Sequence, residues 1–152
     1  MDKSGEKYTT LWITFPTNFS MFIGEFSHSL DIKGRLAVPT KFKSELRKGA
    51  IVTRGLDASL WIFAQIQWEA LAAKLAALPL SKSNSRAFAR LMLAGAMDVK
   101  MDRQGRILIP QELSEYIGHE VVFVGNDDTV QIWNENNWNN YLNKERSTAL
   151  RL

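Results

Sequence analysis

Two nine-residue stretches hold the residue types and spacing best suited to chemistry in this 152-residue chain. Asp31-Ile32-Lys33-Gly34-Arg35-Leu36-Ala37-Val38-Pro39 and Asp102-Arg103-Gln104-Gly105-Arg106-Ile107-Leu108-Ile109-Pro110 share Asp, Gly, Arg and Pro at an offset of 71. In each, a carboxylate stands four residues before a guanidinium across a turn and can accept from it, fixing a long side chain at the base of a hairpin. A guanidinium held this way can serve stability alone. It can also present paired donors to guanine from a two-stranded ribbon, an element that fits the major groove of DNA.

Catalytic chemistry is poorly supplied. The chain has no Cys and two His, so thiolate metal sites, disulfides and cysteine nucleophiles are excluded, and a reducing compartment is expected. His28 falls in an expected strand and His119 just past an expected helix, neither with a second His or a carboxylate at metal-ligand spacing. Glu120 adjoins His119, but neighbours on a strand point to opposite faces. Asp127-Asp128 has Asp57-Ala58 as its counterpart in the repeat, so the repeat does not preserve a carboxylate pair. Glycine-rich phosphate loops are lacking from 95 to 105. No enzyme activity, cofactor or metal is expected. No apolar run reaches the 18 residues that span a bilayer, and Leu11 to Phe19 is broken by Thr14, Pro16, Thr17 and Asn18, so neither membrane insertion nor secretion is expected.

The net charge of +3 says little until it is placed along the chain. From Asp31 to Arg54, seven cations (Lys33, Arg35, Lys41, Lys43, Arg47, Lys48 and Arg54) stand against Asp31 and Glu45. Lys74, Lys82, Arg86 and Arg90 follow with no acid between Ala70 and Met97. From Asp98 to Glu120 the sign reverses: Lys100, Arg103 and Arg106 meet Asp98, Asp102, Glu112, Glu115 and Glu120. A charge run is ordinarily a solvated face. Here the local acids tilt Arg106 toward a scaffold role, whereas Arg35 and Lys33 suit a polyanion.

The motif belongs to a longer duplication. Gly55-Leu56-Asp57 matches Gly125-Asn126-Asp127, Leu60-Trp61-Ile62-Phe63 matches Val130-Gln131-Ile132-Trp133, and Trp68 matches Trp138, all at offset 70. Alternation at period two, in Phe26, His28 and Leu30 and again in Met97, Val99 and Met101, predicts a first strand in each half. The Asp-x-x-Gly turn reverses into a second strand at Arg35 or Arg106. Pro39 and Pro110 suit the first turn of helices over Thr40 to Arg47 and Gln111 to Ile117, with Gly49 and Gly118 as stops. Third strands are expected over Ala50 to Arg54 and Glu120 to Val124, and fourth strands over Leu60 to Phe63 and Thr129 to Trp133. Trp68, Leu71, Leu75 and Leu78 recur at helical spacing, and Phe88, Leu91 and Met92 predict another helix before Gly95. A last helix is expected from Glu135 to Arg146, against the poor propensity of its many Asn residues.

The repeated Asp-x-x-x-Arg-x-x-x-Pro resembles the SpoVT/AbrB-type swapped-hairpin motif, and two copies at this separation resemble the MraZ family of bacterial regulators. The likeness covers roughly Met21 to Tyr141 and includes Met21-Phe22-Ile23-Gly24, Leu30 to Leu36, and Ala94-Gly95-Ala96-Met97-Asp98. It implies an α+β fold of two tandem β-β-α-β-β units forming a pseudo-twofold barrel, with extra helices after each unit. The expected organisation is an N-terminal extension at 1–20, outside the likeness and upstream of where family chains start, a first AbrB-like domain at 25–72, a helical connector at 73–97, a second AbrB-like domain at 98–142, and a C-terminal tail at 143–152. The resemblance further implies a nucleoid-associated cytoplasmic regulator of the division and cell-wall gene cluster. Such a protein forms a ring-shaped homo-oligomer and binds double-stranded DNA at repeated promoter boxes. Arg35, Lys33, Arg106 and Arg103 would then face DNA, with Lys41, Lys43, Arg47, Lys48 and Arg54 as phosphate neighbours, while Asp31, Gly34, Pro39, Asp102, Gly105 and Pro110 hold the hairpins. The competing reading is an antitoxin-like or scaffold protein-interaction module, because swapped-hairpin units also occur in antitoxins.

Overall fold

A computed structural model describes residues 21–149, so the expected N-terminal extension at 1–20 lies outside the described residues. The elements run β1 (Phe22–Ser29), β2 (Arg35–Ala37), α1 (Thr40–Leu46), β3 (Ala50–Arg54), β4 (Ser59–Ala64), α2 (Gln65–Ala76) and α3 (Ser83–Ala94). The second half continues with β5 (Met97–Val99), β6 (Arg106–Leu108), α4 (Gln111–Ile117), β7 (Glu120–Asp127), β8 (Thr129–Asn134) and α5 (Glu135–Ala149). This is the expected mixed α+β fold of two tandem units.

The halves interleave. One antiparallel six-stranded sheet has the order β1-β7-β8-β4-β3-β5, and β2 pairs with β6 in a separate ribbon. Replacing each strand by its repeat counterpart reverses the sheet order onto itself, so a pseudo-twofold axis relates the halves. The register places that axis at Trp61↔Gln131 in the sheet and at Leu36↔Ile107 in the ribbon, residues 70 and 71 apart. The first strand of each half therefore pairs with the third strand of the other.

Burial explains why the halves cannot part. Along β1 the inward series Phe22, Phe26, His28 alternates with exposed Ile23, Glu25 and Ser27. Phe22 and Phe26 both meet Phe42 of α1 edge-on at 5.4 Å. The main core joins Leu36, Val38, Phe42, Leu46, Val52 and Ile62 of the first half to Ile107, Ile109, Leu113, Ile117, Phe123 and Ile132 of the second. α1 and α4 have seven residues each, too few to be stable alone, and both are held by an i, i+4 buried pair: Phe42 with Leu46, Leu113 with Ile117.

On the other face of the sheet, Phe63, Leu75 and Met92 form a smaller cluster with Trp61, Trp68, Leu71, Leu78 and Phe88, which fastens α2 and α3. α5 packs through Trp138 and Tyr141, each 5.1 Å from the ring of Trp133. Its Asn-rich start is stabilised by Asn134, whose Oδ1 accepts from the Asn137 amide at 3.1 Å as an N-cap, while its Nδ2 donates to the Ile117 carbonyl at 3.0 Å.

Some elements differ from expectation. Pro39 and Pro110 precede the helices instead of joining the first turn: their ψ values of 138° and 144° are extended, and their carbonyls accept the amides of Phe42 and Leu113. Met101 lies outside β5 and makes only an isolated bridge to Ile107, because the chain is already turning toward Asp102. β7 runs to Asp127, past the expected Val124, because β1 pairs along its whole length.

Ile107 is buried in a core shared by both halves, so Ile107→Ala should destabilise the whole fold by about 2–5 kcal/mol. Urea unfolding followed by Trp fluorescence and far-UV circular dichroism should give one coincident transition at lower midpoint. Two separated transitions would show that the halves fold apart.

Candidate functional site

Each turn before the ribbon is built by one aspartate. Asp31 Oδ1 accepts from the amides of Lys33 at 2.9 Å and Arg35 at 2.8 Å, and Oδ2 accepts from Arg35 Nε at 2.6 Å. Asp102 repeats the set with Gln104 and Arg106 amides and Arg106 Nε, all at 2.9 Å. Gly34 and Gly105 complete the turns at φ of 81° and 78°, a region that side chains disfavour. Their carbonyls accept from Ile109 at 2.9 Å and Val38 at 3.0 Å, so each turn is tied to the opposite half.

Because Leu36 and Ile107 point into the core, Arg35, Ala37, Arg106 and Leu108 share the ribbon's outward face. Arg35 sits opposite Leu108 and Arg106 opposite Ala37, which makes the two arginines diagonal neighbours, about 7–8 Å apart in such a ladder. Nε of each is occupied by its aspartate, whereas the terminal Nη atoms have no partner among the described residues. At about one-third exposure, these ion pairs contribute little free energy and act chiefly by orienting the guanidinium.

The swap changes each turn's neighbours. Basic α1 lies against the second turn: Arg47 Nη1 reaches the Asp102 carbonyl at 3.4 Å, and a Cβ added at Gly105 would fall 2.5 Å from Lys43 Cε. α4 lies against the first turn, where Gln111, Ser114 and Glu115 line a cavity of about 520 Å³ with Ile32, Lys33 and Gly34. The acids counted around Arg106 along the chain are therefore not all around it in space. Glu115 lies by the first turn, and Glu120 accepts from Ser29 Oγ at 2.7 Å. Only the swapped pairing reveals this.

The other basic residues are scattered. Lys33, Arg103 and Lys41 are exposed, and Lys48 is exposed beside Glu45 at 3.6 Å. Arg54 is not brought to the turns: it ends β3 and lines a groove with Phe88, Arg90, Leu91 and Tyr116. His28 meets Phe123 edge-on at 5.4 Å, and burial, aided by the Lys43 charge, holds it below the ordinary histidine value of 6.5. Burial, with the charge of Asp127 beside it, pushes Asp128 up. Among the described residues no cluster of His, Cys, Asp or Glu could hold a metal ion, and no helix is long and apolar enough to cross a membrane.

The model of the MraZ protein family, described as antitoxin-like, matches the chain twice, over residues 21–91 and 92–150. The chain belongs to the MraZ family. It is 46% identical to the transcriptional regulator MraZ of Carboxydothermus hydrogenoformans over 125 residues, covering 81% of this chain and 87% of that protein. It is 42% identical to the MraZ of Natranaerobius thermophilus over 130 residues, or 84% and 91% of the two chains, and 44% identical to that of Acetivibrio thermocellus over 131 residues, or 85% and 92%. Regulation of transcription is the role for which these MraZ relatives are named.

Asp31 and Asp102 are held below the ordinary aspartate value of 3.8, first by the amides of Arg35 and Arg106 and further by their guanidiniums. A depressed carboxylate contributes stability that is fully present above pH 3.8 and lost as pH falls through the lower folded-state value. Carboxyl NMR titration should give midpoints below 3.8 for both; a midpoint at or above 3.8 would show that the turn does not hold its carboxylate.

Proposed function

We propose that this protein is a sequence-specific DNA-binding transcriptional regulator that reads repeated promoter boxes of the division and cell-wall gene cluster in the bacterial nucleoid. The observation that carries this reading is the outward face of the ribbon. Two guanidiniums sit there, each fixed through Nε and each with Nη donors that have no partner among the described residues. A two-stranded ribbon fits the major groove, where an arginine donates two bonds to guanine O6 and N7.

The exposed cations Lys33, Arg103, Lys41, Arg47 and Lys48 would contact phosphates, which sets register and affinity without reading sequence. A few phosphate contacts bind weakly at physiological salt. A ring-shaped homo-oligomer would supply the remainder, since engaging one box raises the local concentration for the next, by about 10²- to 10⁴-fold in avidity. The antitoxin-like reading would instead place a protein partner on this surface.

The test is a mobility-shift titration against the protein's own upstream DNA and a random duplex at two salt concentrations, with particle size measured on the same sample. Arg35→Ala should lower affinity for the upstream boxes by about 1–3 kcal/mol and flatten discrimination. Lys48→Ala should weaken both duplexes alike. Unchanged selectivity in the Arg35 variant would remove it as a reader, and absence of any preference in the wild type would overturn the proposal.

A further inference from the structure

The two ends of the ribbon are related by pseudosymmetry but are not chemically equivalent. At offset 71, Lys43 of α1 corresponds to Ser114 of α4, and Arg47 corresponds to Gly118. Lys43 covers Gly105, which is buried, and Arg47 reaches the Asp102 carbonyl. Their counterparts Ser114 and Gly118 both line a second cavity, about 240 Å³, against Asp31, Ile32 and Gly34. The space filled by a lysine stem at the second turn is open at the first. Charge follows the same division. Lys43, Arg47, Arg103 and Arg106 surround the second turn with Asp102, whereas Lys33 and Arg35 share the first with Asp31 and Glu115.

Resting on the proposed DNA-binding role, we infer that the second-repeat hairpin is the rigid, phosphate-anchoring end of the ribbon, clasped by Lys43 and Arg47 of the first repeat. The first-repeat hairpin is the looser and electrostatically balanced end. Each protomer then lies on its duplex with a polarity set by α1. Phosphate contacts made by a preorganised cationic end fix register, and Arg35 reads from the end that can adjust. Lys43 is a positioning residue through its stem as well as a cation through its ammonium, and Arg106 stands in the more positive surroundings, contrary to the charge count along the chain.

Three variants of the full chain separate these roles. Lys43→Ser copies the first-turn counterpart, Lys43→Met keeps the stem and removes the charge, and Ser114→Lys adds a cation at the first turn. In the free wild type, amide exchange at 103–106 should be slower than at 32–35 by on the order of tenfold. Lys43→Ser should abolish that difference and Lys43→Met should retain it. Against the upstream duplex, the slope of log affinity with log salt should shrink by about one in Lys43→Met and grow by about one in Ser114→Lys. Equal exchange at the two turns in the wild type, or an unchanged slope in Lys43→Met while the wild type still prefers its upstream DNA, would overturn the asymmetry alone. Loss of that preference in the wild type would instead overturn the DNA-binding role on which it rests.

Discussion

A three-residue strand has too few hydrogen bonds to persist by itself, and β2 and β6 are both of that length. They exist because each pairs with the other across the pseudo-twofold axis, with Leu36 and Ile107 driven into one core. The outward positions follow from this constraint. Once Leu36 and Ile107 point inward, Arg35 and Arg106 must point outward, and the aspartate of each turn has a guanidinium within reach. The hairpin faces are therefore a product of the duplication, and neither half could display its own without the other.

Interleaving also settles how small units become stable. A half-chain of this size has a marginal core. Here strands β7 and β8 lie between β1 and β4, and β3 lies between β4 and β5, so the apolar residues of both halves share one interior. Two outer clusters, around Phe63 with Trp68 and around Trp133 with Trp138, then secure the helices that follow each unit.

Much of this was legible in the sequence for identifiable reasons. The Asp-x-x-Gly-Arg turns were readable because their hydrogen bonds are local, within four residues. The helices α1 and α4 were readable from flanking Pro and Gly. Spatial neighbourhood was not readable. Lys43 and Arg47 lie 55 or more residues from the turn they support, and Glu115 lies about 80 from the Lys33 turn whose cavity it lines. Charge counted along the chain therefore describes each hairpin by helices that belong to the other. Likewise, the Asn content that argues against α5 in the sequence includes the Asn residue that caps it.

The DNA-binding role proposed above has arginines fixed by aspartates on a shared ribbon reading guanine edges. It is tested most directly by replacing individual guanines of the upstream box with 7-deazaguanine, which removes the N7 acceptor and keeps base pairing. Affinity of the wild type should fall at particular guanines, and those losses should disappear in an Arg35→Ala, Arg106→Ala double variant. If every such replacement left wild-type affinity unchanged, or lowered it equally with and without the two arginines, the ribbon would not be reading bases.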